Sequence, residues 1–142
     1  MMNGSKPGGT SGGPKKILVI EDNSMNLELV TDLLKVAGFV VLDAIVAERG
    51  IELARTAQPD LILMDISLPD VDGLAATQAL KADPVTRHIP VVALTAHAMK
   101  GDEEKALAAG CTGYLTKPID TRTFAQTIAR FLESAQGEQN TK

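Results

Sequence analysis

The stretch Ile17-Leu18-Val19-Ile20-Glu21-Asp22 decides the fold class of this chain, because an apolar and mostly β-branched run ends abruptly in two carboxylates. A run that is apolar on both sides predicts a strand whose two faces are both covered by helices. Short apolar runs recur at residues 39–44, 61–64, 90–94 and 113–116. Together with residues 17–20 they predict five strands.

Amphipathic stretches fill the intervals between these runs and predict five helices, at residues 25–37, 47–57, 74–82, 100–109 and 121–132. Asn23 or Ser24 is expected to cap the first helix, Gly38 to end it, and Asp120 to cap the last helix. Strands that are joined by crossover helices run parallel, and such crossovers are right-handed. The predicted fold is therefore α/β, a doubly wound five-stranded parallel sheet in a (βα)5 three-layer sandwich.

The composition of the 142-residue chain is that of one globular domain, with 44% hydrophobic and 23% charged residues. We assign residues 15–134 to the domain, 1–14 to a flexible arm or linker and 135–142 to a flexible tail, because both end segments are too polar to offset the entropy of ordering. The net charge of −4 argues against direct binding to nucleic acid. The apolar runs are far shorter than the ~20 residues of a membrane span, and the single Cys111 favours a reducing, cytoplasmic location.

Polar residues stand at the ends of four predicted strands: Glu21 and Asp22 after the first, Asp65 after the third, Thr95 after the fourth and Lys117 after the fifth. In a doubly wound sheet, ligands bind beyond the carboxyl ends of the strands. Three carboxylates that converge there repel one another by roughly 4 kcal/mol per pair at ~4 Å and an effective dielectric of about 20, so the site needs a cation. Oxygen ligands without His or Cys favour Mg²⁺.

This set of residues also contains the groups that phosphoryl transfer requires. An aspartate beside a metal ion can attack phosphorus and form an aspartyl-phosphate. Catalysis of that step consists mostly of positioning and of neutralising the phosphoryl oxygens, for which a metal ion, one lysine and one hydroxyl suffice. Lys117 and Thr95 fit these last two roles.

Several short motifs together resemble the receiver domain of two-component response regulators, over about residues 15–132. They are Glu21-Asp22, Asp65 with Leu68-Pro69 and Asp72-Gly73, Thr95-Ala96, and Lys117-Pro118. Segments 21–26 and 98–104 look especially like the stand-alone cell-cycle regulators of the DivK type and like receivers attached to hybrid kinases. The resemblance implies a flavodoxin-like sheet of strand order 2-1-3-4-5 and a role in phosphorelay signal transduction. It also implies a histidine kinase or histidine phosphotransfer protein as the phosphodonor, a downstream protein target, and a phosphoacceptor rather than an enzyme.

The same resemblance assigns roles to the acidic residues. It implies that Asp65 is the phosphoacceptor and that Mg²⁺ is bound by Asp22, by Asp65 and by the backbone carbonyl of Ser67. Glu21 then acts through a water molecule or as a second acidic ligand. His97, two residues after Thr95, and Ser67, two residues after Asp65, resemble positions that set the lifetime of the aspartyl-phosphate.

The remaining site residues are also assigned by this resemblance. Lys117 is implied to pair with a phosphoryl oxygen, and its peptide bond to Pro118 is implied to be cis. Thr95 is implied to donate a hydrogen bond to the phosphoryl group, which draws its loop inward. Tyr114 then turns from an exposed to a buried position, and Ala96 supplies a small side chain beside the phosphoryl pocket.

Three alternatives stay open at the level of the sequence. A flavin-binding electron carrier shares the predicted fold, but the chain has one Tyr, three Phe and no Trp, and carboxylates follow the first strand where a flavin phosphate needs donors. An aspartate-nucleophile phosphatase shares the acidic site, but Ser67 stands where its general-acid Asp is expected. A receiver cut from a hybrid kinase is compatible with the glycine-rich segment before residue 15. We expect a monomer or a weak dimer.

Overall fold

Five strands and five helices alternate in the described part of this computed structural model of the protein. The described residues are 13–66, 68, 72–95 and 100–140, and the side chains of 100, 102 and 135–140 are not included. The strands are β1 (Lys16–Ile20), β2 (Val40–Ala44), β3 (Leu61–Asp65), β4 (Val91–Thr95) and β5 (Gly113–Thr116). The helices are α1 (Ser24–Val36), α2 (Ala47–Ala57), α3 (Gly73–Ala82), α4 (Lys100–Ala109) and α5 (Phe124–Asn140). In this part of the chain, no helix combines the length and the apolar content that crossing a membrane requires.

The strands form one sheet in which all neighbours are parallel and the order is β2-β1-β3-β4-β5. This confirms the predicted doubly wound sheet and its strand order 2-1-3-4-5. The register aligns the carboxyl ends of the strands, because Ile20 pairs with Met64 and Thr95 pairs with Thr116. The residues at or just beyond these ends therefore share one edge of the sheet.

Side chains of the strands alternate between two apolar layers, and both layers are buried. Leu18, Ile20, Ile62 and Met64 lie in the layer that α2, α3 and α4 cover. Their sequence neighbours Ile17, Val19, Leu61 and Leu63 lie in the layer that α1 and α5 cover. This arrangement explains why the runs 17–20, 61–64 and 91–94 are apolar at every position rather than at every second one.

The boundaries of α1 show how local signals set its ends. Asn23, one of the two predicted caps, has extended backbone angles, and its Oδ1 accepts a hydrogen bond of 2.9 Å from the backbone N–H of Asn26. Gly38 has a φ of 100°, and its N–H donates to the carbonyl of Lys35. Glycine fits this left-handed position without steric cost, so the helix ends where the sequence predicts.

Helix α5 differs from its prediction at both ends. It begins at Phe124 instead of residue 121, because the carbonyl of Asp120 accepts hydrogen bonds from Thr123 and Phe124 and closes a turn ahead of the helix. The Asp120 side chain caps that turn by accepting from the N–H of Arg122 at 3.0 Å. The helix then continues to Asn140, through most of the segment predicted as a tail, where Glu, Gln and Ala favour helix. Residues 1–12 of the predicted arm lie outside the described residues.

Replacing Leu63 by Ala is expected to lower the free energy of unfolding by about 3 kcal/mol, because the side chain is fully buried in the central strand β3 and leaves a cavity. Urea unfolding followed by circular dichroism measures this loss. The control is Val36→Ala on α1, where the side chain is 89% exposed and the expected change is below about 0.5 kcal/mol. Equal losses in the two variants would contradict the assigned core.

Candidate functional site

Three carboxylates converge at the carboxyl edge of the sheet. Glu21 and Asp22 follow β1, Asp65 ends the neighbouring β3, and one oxygen from each of the three lies within 4.8 Å of the others. Glu21 is fully buried and Asp65 is 3% exposed, whereas Asp22 is open to solvent. The adjacency of β1 and β3 thus brings together residues that are more than 40 positions apart in the chain.

Lys117 provides the cation that faces this cluster. Its Nζ lies 3.0 Å from Oε1 of Glu21 and 3.3 Å from Oδ2 of Asp65. The lysine follows β5, its backbone N–H donates to the carbonyl of Thr95 at 2.8 Å, and its peptide bond to Pro118 is cis. One ammonium group therefore pairs with two of the three carboxylates, those of Glu21 and Asp65.

The protonation equilibria of this site reflect its burial. Burial raises the pKa of Glu21 above 4.5, and the neighbouring Asp65 raises it further, against the opposing effects of Lys117 and of the Asn23 N–H. Burial by itself lowers the pKa of Lys117, but the carboxylates of Glu21 and Asp65 outweigh it, and the pKa rises above 10.5. The fold therefore keeps Lys117 charged while it disfavours a charged Glu21.

The donor set fits a hard divalent cation such as Mg²⁺. Oxygen is the ligand atom offered by Glu21, Asp22 and Asp65, and carboxylate oxygens are what Mg²⁺ prefers. Oε1 of Glu21 is buried and accepts no well-aligned hydrogen bond, although Nζ of Lys117 is close. Additional positive charge beside these oxygens would stabilise the ionised cluster.

Thr95 and Tyr114 lie on the same face of the sheet. Tyr114 pairs with Ala93 in the register of β4 and β5, and Thr95 comes two residues after Ala93 on the same strand. Thr95 is buried, whereas Tyr114 is half-buried against the layer that contains Ala106 of α4. Tyr114 thus occupies a position between the exposed and the buried one that the family resemblance implies.

Three residues predicted from the sequence lie outside the described part of the chain, and one contact of the cluster has no sequence prediction. Ser67, Ala96 and His97 lie outside the described residues. The backbone N–H of Asn23 donates to Oε2 of Glu21 at 3.1 Å, so the residue that caps α1 also holds a carboxylate of the cluster. The sequence identifies Asn23 only as a helix cap, since a backbone donor has no signature of its own in the sequence.

The Lys117→Met variant is expected to lose about 3 kcal/mol of stability at pH 7 without metal, the lower end for a broken buried ion pair. The folded chain binds the Glu21 proton more tightly than the unfolded chain, because the folded pKa is raised. The resulting stabilisation is complete below pH 4.5 and is lost as the pH rises through the folded pKa. At pH 4.5 Glu21 is therefore mostly protonated in the folded chain, and a neutral Glu21 gains little from the Lys117 ammonium group. The free energy lost on removing Lys117 should accordingly be smaller at pH 4.5 than at pH 7.

Urea unfolding in chelator at the two pH values measures this difference. Lys105→Met, at an exposed lysine of α4, is the control and should change stability little at either pH. A cost for Lys117→Met that is independent of pH would refute the proposed link to Glu21.

Comparison with known proteins places this chain in a family. The family profile of the response regulator receiver domain matches residues 17–129. The chain is 46% identical over 122 residues to the polar-differentiation response regulator DivK of Brucella anthropi, a match that covers 86% of this chain and 99% of that protein. DivK of Brucella ovis is 46% identical over 121 residues, which is 85% of this chain and 98% of that protein.

Solved structures agree with this assignment. A CheY-like receiver domain protein from Methanospirillum hungatei superposes with a TM-score of 0.81 at 25% identity, over 89% of this chain and 99% of that one. The receiver domain of a sensor histidine kinase from Pseudomonas aeruginosa, which has a magnesium ion coordinated in its active site cleft, gives a TM-score of 0.78 at 33% identity, over 85% of this chain and 99% of that one. These matches favour a receiver over a flavin carrier or a phosphatase. The chain belongs to the response regulator receiver domain family of two-component signalling proteins.

Proposed function

We propose that this domain accepts a phosphoryl group on Asp65 in a magnesium-dependent transfer from a histidine kinase or a histidine phosphotransfer protein. The observation that carries the proposal is the position of the Asp65 carboxylate, 3.3 Å from Nζ of Lys117 and within 4.8 Å of the carboxylate oxygens of Glu21 and Asp22. In the transfer, an oxygen of Asp65 forms a bond to phosphorus while the bond from phosphorus to the imidazole nitrogen of the donor breaks.

Each residue of the cluster has a separate role in this proposal. Mg²⁺ bound at the cluster would neutralise charge at the phosphoryl oxygens. Asp22 and Asp65 would hold the ion together with the backbone carbonyl of Ser67, and Glu21 would act through water or as a second acidic ligand. Lys117, which is only partly exposed and already within 3.3 Å of Asp65, is in reach of a phosphoryl oxygen bonded to that residue. The domain acts in this proposal as a phosphoacceptor and not as an enzyme. Its own chemistry is limited to self-phosphorylation at Asp65 and slow self-dephosphorylation.

The DivK relatives support the proposal of a stand-alone regulator. The matches cover 98–99% of those proteins at 46% identity, whereas the receiver of a sensor histidine kinase is 33% identical. The alternative is a receiver domain excised from a hybrid histidine kinase. In either case we place the domain in the cytoplasm, where the free thiol of Cys111 stays reduced.

Incubation with a small phosphodonor such as acetyl phosphate and Mg²⁺ is expected to add one phosphoryl group to the protein, as measured by intact mass. Chelator, or the Asp65→Asn substitution, should abolish the addition, because the first removes the metal and the second removes the nucleophile. Asp72→Asn is the matched control, since Asp72 is an exposed cap of α3 and asparagine caps helices equally well. Addition to Asp65→Asn at the wild-type rate would disprove the assignment.

The proposed output is a change of the surface that α4, β5 and α5 form. Phosphorylation adds about −1.5 to −2 charge at Asp65, and Thr95 and Lys117 are the groups expected to respond to it. Movement of Thr95 toward the phosphoryl group would leave space on the face that it shares with Tyr114. The buried apolar side chains described in α4 are those of Ala106 and Ala109, so little apolar contact opposes a shift of this helix. A downstream protein would read this surface.

The coupling between phosphorylation and partner binding is expected to be about 1–3 kcal/mol. Beryllofluoride, a phosphoryl mimic, should shift the NMR resonances of Tyr114, α4 and β5 in the wild-type protein. Thr95→Ala should suppress these distant shifts but retain those at the acidic cluster. Thr112→Ala, at an exposed threonine ahead of β5, is the control and should respond like the wild type. A complete distant response in Thr95→Ala would contradict the proposed switch.

A further inference from the structure

Gly73, the first residue of α3, lies directly against the backbone of Asp65. A Cβ atom on residue 73 would lie 2.5 Å from Cα of Ile66 and 3.0 Å from the carbonyl carbon of Asp65, and nearer still to the Asp65 carbonyl oxygen. Ordinary contacts of a Cβ atom begin at 3.4 Å, so a side chain here would force a displacement of about 1 Å. All three of these atoms belong to the backbone, and none can move aside by rotating a side chain.

The requirement for glycine at this position is one of space. Gly38 and Gly110 have φ values of 100° and 111°, in the left-handed region that favours glycine, whereas Gly73 lies outside that region. Alanine is a better helix former than glycine. Helix propensity alone would therefore favour alanine over glycine at residue 73. The close contact with the backbone of Asp65 excludes alanine there, because its Cβ would have no space.

Neither side of this contact can retreat without breaking other interactions. The N–H of Ile66 donates to the carbonyl of Leu94 at 3.1 Å, which ties the peptide after Asp65 to β4. The carbonyl of Ile66 accepts from the N–H of Gly73 at 3.2 Å, which ties the same segment to α3.

On its other side, the first turn of α3 is itself fixed. The hydroxyl of the fully buried Thr77 donates to the carbonyl of Gly73 at 2.9 Å. Ala76 and Leu80 anchor the helix in the core. The peptide that carries Asp65 is therefore held between a strand and a helix that are both immobilised.

We propose that Gly73 is a positioning residue for the phosphoacceptor. Because residue 73 has no side chain, the first turn of α3 packs directly against the Asp65 peptide. This close packing fixes the Asp65 backbone where its carboxylate lies beside Glu21, Asp22 and Lys117. This inference rests on the proposed function of Asp65. Mg²⁺ demands ligand distances of about 2.0–2.1 Å in near-octahedral geometry, so a displacement of about 1 Å disturbs both metal binding and phosphoryl transfer.

The test is the Gly73→Ala variant, measured by calorimetric titration with Mg²⁺ and by the initial rate of phosphorylation with acetyl phosphate. We expect at least a tenfold weaker Mg²⁺ affinity and a rate about 100-fold lower. Gly113→Ala is the control for a steric clash remote from the site, because its Cβ would meet the side-chain ring of Phe131 at 2.6 Å at the start of β5. Gly101→Ala is the neutral control, because nothing lies within 4 Å of its added Cβ.

A Gly73→Ala protein that binds Mg²⁺ like Gly101→Ala, or that loses only stability as Gly113→Ala does, would overturn the inference. If Gly73→Ala does not fold, the Thr77→Val variant tests the inference instead. It removes the hydrogen bond from the Thr77 hydroxyl to the Gly73 carbonyl, which fixes the first turn of α3, without adding volume there. A several-fold loss of Mg²⁺ affinity in Thr77→Val then supports the inference, and an unchanged affinity refutes it. If the wild-type protein accepts no phosphoryl group, the proposed function fails, while the Mg²⁺ titrations still report on Gly73.

Discussion

The convergence of three carboxylates on one edge of a parallel sheet is the constraint on which the rest of this structure depends. Glu21, Asp22 and Asp65 lie within 4.8 Å of one another with Lys117 as the cation that contacts two of them. Two of the carboxylates are almost completely removed from water, which raises the pKa of Glu21. The apolar layers on both sides of the sheet must offset this electrostatic cost, and the site in return gains oxygens that are preorganised for a cation.

The two helical layers are built from side chains of different size. The layer of α1 and α5 buries Val30, Leu34, Phe124, Ile128 and Leu132. The helices of the other layer contribute mainly alanines, at positions 47, 54, 76 and 106. Since apolar stabilisation scales with the area removed from water, the alanine-packed layer holds its helices less strongly. Thr95 and Tyr114 face this second layer, so the proposed conformational response would take place on the side of the sheet whose helices are held less strongly.

Local sequence signals predicted the elements well wherever one residue type dictates the backbone. Gly38 adopts the left-handed angles that end a helix, and Asn23 caps α1. Prediction was wrong at the start of α5, because an aspartate can cap an isolated turn as well as a helix, and Asp120 does the former. Its side chain accepts from the N–H of Arg122 and its carbonyl accepts from those of Thr123 and Phe124, so the N–H groups after Asp120 are satisfied by a turn before the helix begins.

The sequence by itself determined the fold class, the strand order through the family resemblance, and the identity of the residues at the strand ends. The fold class and the strand-end residues follow from apolar periodicity and from the rule that parallel strands place their carboxyl ends together. Only the tertiary structure decided that Lys117 pairs with Glu21 as well as with Asp65, and that the Asn23 N–H donates to the Glu21 carboxylate. It alone also decided that Gly73 packs against the backbone of Asp65. Distances of a few ångströms between backbone atoms depend on how helices pack against the sheet, and side-chain type along the chain does not specify them.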